Sequence, residues 1–397
     1  MFNHLFKLSW NKKKQNFLII VEVFASFIVL FAVFSLLISR YINYKQPMGF
    51  TYENVWSINI FPEDRGRNWG MSDSTSTFHE PIDQALSAFP EVKSYSYSNF
   101  NTPFSMGEGS TMVELSGNKQ QTNFYITDDR YLNTLDMTLL EGRWYDKKDE
   151  GLKETPVVIN KSLKEKLFKN ENPIGKTLIT GMNGEQKLKV VGVVSNFKDK
   201  GDFIAPDNGL FMRMNEKELK NSATILVKMQ DGSSASVEAR LQKTLSNAAK
   251  NTSIQIAHLN DQRITKNKTI IIPMIILFVI CGFLIFNVGL GLFGILWYNI
   301  NKRKSEIGLR RAIGATERKV SAQLIGEALI MATIAMIIAI FFAVQFPLLH
   351  VFDLDSGVYI GSILLSTGFI YLLVLICAFY PGKQASQIQP AVVLHEE

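Results

Sequence analysis

The chain has 397 residues, 47% hydrophobic and 20% charged, with a formal net charge of +6 at pH 7. Apolar residues crowd its ends and polar ones its middle, which excludes a single soluble globular domain. The basic residues stand beside the apolar runs, which argues against a nucleic-acid partner and for membrane topology.

Lys7, Lys12, Lys13 and Lys14 precede a first apolar run from Phe17 to Ile38, whose one charge is Glu22. A hydrocarbon core about 30 Å thick takes roughly 20 apolar residues in a helix, and this run meets that length. It is longer than a signal-peptide core, and Ser39-Arg40-Tyr41 offers no small-residue cleavage site, so an uncleaved anchor is expected. Three more runs qualify: Thr269 to Trp297, with Pro273 in its first turns; Leu324 to Phe346, with Glu327 near its start; and Val358 to Phe379. Lys302, Arg303, Lys304, Arg310, Arg311, Arg318 and Lys319 lie between the second and third runs, and Lys383 follows the fourth. The loop between the third and fourth has Asp353 and Asp355 and no Lys or Arg. By the positive-inside rule, both termini and the loop after the second run are cytoplasmic and the long middle segment is outside.

The expected fold class is an α-helical membrane protein with four transmembrane helices and a large mixed α/β extracytoplasmic domain inserted between helices 1 and 2. The expected segments are 1–16 (cytoplasmic), 17–40 (helix 1), 41–268 (extracytoplasmic), 269–299 (helix 2), 300–319 (cytoplasmic), 320–347 (helix 3), 348–357 (outer loop), 358–380 (helix 4) and 381–397 (cytoplasmic tail). The expected location is the cytoplasmic (inner) membrane, multi-pass. Cys281 and Cys377 both lie in apolar runs, so the outer domain folds without disulfides.

Within the outer domain, Val55–Ile60, Asn123–Ile126, Pro156–Ile159, Leu188–Val194, Thr224–Met229 and Ser253–Ala257 read as strands. Helices are expected at Glu80–Phe89, Asp129–Leu135 and Ser236–Ala249, and from an Asn160 N-cap through Phe168. The polar stretch Leu259–Lys268 is placed to continue into helix 2 as a stalk.

No catalytic or metal-binding constellation emerges. His79 and His258 lie in the outer domain, His4, His350 and His395 lie elsewhere, and no two have ligand spacing. Asp128 and Asp129, next to Arg130, read as a solvated helix start. Gly175-Lys176-Thr177 echoes a phosphate loop, but that motif needs glycine at position 170, where Asn170 stands. It reads as a turn after Pro173, and Leu115-Ser116-Gly117 likewise as a turn.

The segment Asn301 to Thr316 is the sharpest signal. It reads as a short amphipathic helix with Ile307, Leu309, Ala312 and Ile313 as apolar surface. Glu306 and Arg310 are placed for an ion pair, Gly314 stops the helix and Thr316 caps the next one. Such a helix suits membrane-lipid headgroups or a groove on a cytoplasmic partner equally well. Glu22 and Glu327 are intramembrane acids and hence functional candidates, with pairing to a nearby Lys or Arg as the plainer reading.

The run KRKSEIGLRRAIGA, from Lys302 to Ala315, resembles the hallmark R-x-x-E-I-G-x-R-R-A-x-G-A of FtsX-like permeases. The C-terminal YPGKQASQIQPAVVL, from Tyr380 to Leu394, resembles the family's closing Y-P-A-x-x-A-x-x-x-x-P-x-x-A-L, departing at Gly382 and Val393. Leu140-Glu-Gly-Arg143, Pro156-Val-Val-Ile-Asn160, Asn172-Pro-Ile-Gly-Lys176 and Val190-Val-Gly-Val-Val194 resemble the MacB-type periplasmic core. The resemblance, to the permeases of MacB/FtsX-type ABC transporters, implies a non-catalytic subunit with ATP bound by a separate ABC ATPase subunit and no cofactor of its own. It implies a dimer with a second copy or a homologous half-permease, and an outer domain made of a porter-like part plus a second, smaller part. It makes 300–319 a coupling helix, with Glu306, Ile307, Gly308, Arg310, Arg311, Ile313, Gly314 and Ala315 as ATPase-coupling residues. ATP-driven closure would then rock the outer domain, with a periplasmic adaptor or other extracytoplasmic partner as a further expectation. Export of peptides, antibiotics or lipophilic compounds is the favoured function. Lipoprotein release, a regulatory scaffold activating cell-wall hydrolases and a membrane-anchored sensor are the alternatives.

Overall fold

A computed structural model describes residues 13–62, 79–181, 186–349, 351 and 354–386. His4, Lys7, Lys12, His350, Asp353, His395 and the closing motif beyond Ser386 lie outside the described residues. The chain opens with α1 (Lys13–Lys45), β1 (Val55–Pro62), α2 (His79–Ala88) and β2 (Val92–Ser98). It continues through β3 (Ser110–Leu115), β4 (Asn118–Thr127), α3 (Tyr131–Thr134), β5 (Leu139–Gly142), β6 (Thr155–Asn160), α4 (Lys161–Phe168), β7 (Thr177–Thr180), β8 (Gln186–Val194) and β9 (Gly209–Arg213). There follow α5 (Glu216–Asn221), β10 (Thr224–Met229), α6 (Ala235–Ala248), β11 (Thr252–His258), α7 (Leu259–Lys302), α8 (Lys304–Ala312), α9 (Glu317–Leu348) and α10 (Ser356–Ser386). Two compact units result: Asn43–Ile271, and Met1–Ile42 with Ile272–Glu397.

Among the described residues the α/β unit is one continuous sheet with two parts built on different plans, joined where Ser98 of β2 pairs with Thr127 of β4. β11, β1, β10 and β2 lie side by side, all antiparallel. Ile225 and Val227 of β10 pack into a core with Ile82 and Leu86 of α2 and Leu241 and Leu245 of α6. Leu226 alternates to the opposite face and enters a second core around Tyr125, Tyr131 and Phe211. Burial on both faces is why Thr224–Met229 reads as one apolar run. The stretch between β2 and β10 forms the second part, in which β4 pairs with β3 on one side and β9 on the other. With β7, β8 and β6 these strands close a ring of six. Among the described residues this second part holds β3 to β9, and the first holds β1, β2, β10 and β11.

The expected strands and helices of this unit are present; β1, β6, β8 and β11 are each two residues longer than expected, β4 reaches back to Asn118, and α3 is shorter, at Tyr131–Thr134. β2, β3, β5, β7, β9 and α5 come in addition. Asn160 caps α4 as expected, accepting from Leu163 N at 3.0 Å. The same Oδ1 accepts from Gly209 N at 2.9 Å while Nδ2 donates to the Asp207 carbonyl at 2.7 Å, so one fully buried side chain ties β6 to β9. Gly175 lies in a turn at φ +83°, and Ser116-Gly117 forms the left-handed β3–β4 hairpin turn at φ +50° and +88°.

Among the described residues four helices, α1, α7, α9 and α10, are long and apolar enough to cross a membrane. Ala328, Ala332, Ala335, Ala339 and Ala343 make a small-residue stripe on α9, packed with Val23, Phe27 and Phe31 of α1 and Tyr359, Ile370 and Val374 of α10. α7 differs. Only 6% of its most apolar window is covered, against 44%, 39% and 33% for the others. Its 44 residues run unbroken from Leu259, so the expected stalk Leu259–Lys268 continues into helix 2, and Pro273, in the first turns of the membrane run, lies in the interior of the longer helix. There it has no N–H to donate to the Thr269 carbonyl.

Candidate coupling site

α8 follows α7 after one residue and is held by a small core of its own. Ile307 packs there with Ile300, Val320 and Ala385, and with the partly buried Ala315 and Leu324. Gly308 is also buried. The helix ends in two bonds that define a Schellman turn, Gly314 N to the Arg311 carbonyl and Ala315 N to the Arg310 carbonyl, at 3.1 and 3.0 Å. Gly314 supplies the required positive φ of +95°. Thr316 Oγ1 then accepts from Lys319 N at 3.4 Å, capping α9. The chain thus turns from α8 into α9 within four residues.

A closed ring of polar contacts braces this corner. Arg303 donates to Glu306 (2.9 and 3.2 Å) and to Glu327 (2.6 Å). Arg310 donates to Glu306 and to Gln323 Oε1, both at 2.7 Å, and Gln323 Nε2 donates to Glu327 at 3.1 Å. Hydrogen bonds from Arg303 to Glu306, then Glu327, raise its pKa against the opposing effect of burial. Arg311 is engaged as well, with Glu317 at 3.1 Å and the Ala315 carbonyl at 3.3 Å. The Glu306–Arg310 pair and the cationic partner of Glu327 follow the sequence reading. Arg303, the hub, was absent from the expected site. Its three-residue spacing to Glu306 was the available signal.

The apolar side chains of α8 do not form one stripe. Ile307 points inward, whereas Leu309 and Ile313 are 57% and 79% exposed. Four residues apart, these two share one face, with Ala312 beside them exposed.

Glu22 departs from its expected pairing. Its Oε2 is buried with no hydrogen-bond partner among the described residues. α1 turns the carboxylate toward Gly291 of α7, where the missing side chain makes room for it. The acidic pair of the outer domain is not a solvated helix start either. Asp128 is buried and accepts from Ser96, from Arg130 N at 3.1 Å and from Arg130 Nε at 3.0 Å, and burial raises its pKa. Asp129 holds Arg213 at 2.7 and 3.1 Å. Each carboxylate is spent on a different arginine. Among the described residues no three or more His, Cys, Asp or Glu side chains gather as metal ligands.

Four spanning helices, a large α/β insertion after the first and a braced helix after the second define the class: a polytopic membrane protein of the permease type with an extracytoplasmic domain. Residues 19–244 match the family model of the MacB-like periplasmic core domain, and residues 270–390 that of the FtsX-like permease C-terminal region. The chain belongs to this MacB/FtsX-like permease family. It is 24% identical over 367 residues to the macrolide export ATP-binding/permease protein MacB of Neisseria gonorrhoeae, covering 86% of this chain and 52% of that one. Against the protein of that name from Aggregatibacter actinomycetemcomitans, identity is 28% over 249 residues, 60% of this chain and 37% of the other. The chain thus spans about half the length, or less, of these curated relatives. The crystal structure of the periplasmic region of MacB from Actinobacillus actinomycetemcomitans aligns with 20% identity and a TM-score of 0.38, covering 54% of this chain and 93% of that one.

Proposed function

We propose that this chain is the permease subunit of an ABC transporter that couples ATP hydrolysis on a separate ATPase subunit to motion of the extracytoplasmic domain, exporting peptides, antibiotics or lipophilic compounds. The observation that carries the reading is the exposed pair Leu309 and Ile313 on a helix whose flanking arginines are already engaged. Two uncovered apolar side chains on a rigid base suit a groove on a cytoplasmic partner. Glu306, Arg310 and Arg311 then hold the shape of the knob, Ile307 and Gly308 seat it, and Gly314 and Ala315 turn the chain back. Both termini and α8 are cytoplasmic in this reading. The uncovered surface of α7 suits a second copy or a homologous half-permease.

The test is purification of the full chain from its native membrane in mild detergent, beside Leu309→Glu and Ile313→Glu. Wild type should bring down an ABC ATPase in stoichiometric amount, and each variant should lose about tenfold or more of it with the thermal transition unchanged, as a buried charge costs on that scale. Full retention by both variants would sink the coupling assignment. No ATPase with wild type would turn the reading to a sensor or scaffold.

A further inference from the structure

Both helices that bracket the α/β unit end on one short loop inside it. The last carbonyls of any helix lack intrahelical donors. At the end of α1 a buried lysine supplies a donor to one of them, the Asn43 carbonyl, and to the Gln46 carbonyl just past the helix. Lys198, 1% exposed, donates from Nζ to the carbonyls of Asn43 (2.6 Å), Gln46 (3.4 Å) and Asp202 (2.8 Å). An ammonium has three donors, and all three are used. Asn43 Nδ2 returns a bond to the Phe203 carbonyl at 3.3 Å, and Tyr44 stacks on the Phe203 ring at 5.5 Å.

Four residues along the same loop, Asp202 grips the start of α7. It is buried and accepts from Arg263 through Nε and Nη2 at 2.9 and 2.8 Å, a bidentate pair, and from Asn267 Nδ2 at 2.7 Å. Its own N–H donates to Asn267 Oδ1 at 3.0 Å. Arg263 and Asn267 are one turn apart on one face, and between them Lys266 reaches the Ser105 carbonyl at 3.1 Å and Glu108 at 3.3 Å. Gly201, at φ +100°, lets the loop close on Asn267; a Cβ there would lie 2.5 Å from Asn267 Oδ1. Every one of these residues lies within Asn43–Ile271.

We infer that residues 198–202 are a rigid joint that fixes the end of α1 and the start of α7 to the extracytoplasmic domain and to each other, so that displacement of either helix is passed on and not absorbed by fraying. The ammonium of Lys198 and the carboxylate of Asp202 are its two positioning groups, bridged by the Asp202 carbonyl. Water could not replace either charge without opening the buried loop. The use of such a joint in transport rests on the proposed function. Its existence does not.

The experiment is amide hydrogen exchange on the full chain in lipid nanodiscs, without ATPase or nucleotide, for wild type, Lys198→Met and Asp202→Asn. The deciding readout is the segment each variant does not touch. Lys198→Met should raise exchange about tenfold or more in 261–268 as well as in 43–49, and Asp202→Asn should do so in 43–49 as well as in 261–268. Peptides from β6 and β8 should be unchanged, showing that the domain is folded. Should Lys198→Met fail to fold, Asp202→Asn alone decides. Loosening confined in each variant to the helix end it touches would overturn the joint. Because no ATPase is present, these results stand apart from the pull-down, whose failure would remove the transport reading and leave the joint.

Discussion

Asp199 offers the most quantitative test of the outer domain. It is buried beside Tyr125, whose ring packs on Phe197 and Phe211 and whose hydroxyl donates to its Oδ2 at 2.7 Å. Burial pushes its carboxyl up from an ordinary 3.8 to about 6, against the Tyr125 hydrogen bond and the charge of Lys200, with Asp207 adding to the rise. The folded chain therefore holds a proton between those values that the unfolded chain releases. The stability this group contributes is complete below about pH 4 and is lost as pH rises through about 6. A rise of that size corresponds to a penalty of up to about 3 kcal/mol at neutral pH. Asp199→Asn removes the charge and keeps an acceptor for Tyr125. It should stabilise the domain by about 1–3 kcal/mol at pH 7.5 and by nearly nothing at pH 4. Hydrogen exchange of β4 and β9 peptides in the full chain, corrected for intrinsic pH dependence, measures this directly. Equal effects at both pH values, or destabilisation at pH 7.5, would refute the reasoning.

Two further outcomes test the helical unit. Gly291→Ala places a methyl where the Glu22 carboxylate sits, so it should cost about 1–3 kcal/mol of bundle stability, and Glu22→Ala on that background should restore most of it. A single variant as stable as wild type by thermal unfolding in detergent would show that the carboxylate yields freely. For orientation, Asp355→Cys should react with a membrane-impermeant maleimide in intact cells. Labelling only after lysis would place that loop on the cytoplasmic side.

What could be read from the sequence is what is written locally. Four apolar runs of bilayer length, the Asn160 and Thr316 caps and the Gly314 stop each depend on residues within a few positions of one another, and the helices and turns follow them. Strands that owe their existence to distant partners were not legible. β3 and β7 carry many polar residues, and Val113 finds Thr180 only through the closed barrel. The coupling segment shows the same divide. Its helix, stop and cap were readable, but its apolar residues split into inward Ile307 and outward Leu309 and Ile313 only once α9 and α10 were packed against it. Lys198 and Asn43 are 155 positions apart, and no periodicity connects them.

The split sheet sets an order on biosynthesis. β1 pairs with β10 and β11, so Val55 waits for Lys228 and Trp56 for His258. The six-stranded ring, by contrast, lies wholly within one uninterrupted stretch between β2 and β10. During translation the ring's strands are all available before the first sheet can acquire its middle and edge partners, and contacts of such sequence separation form slowly. The residue that completes the sheet, His258, immediately precedes Leu259, the first residue of α7. The last strand of the outer domain and the second membrane helix are thus joined without a linker, so completing the sheet fixes where that helix begins.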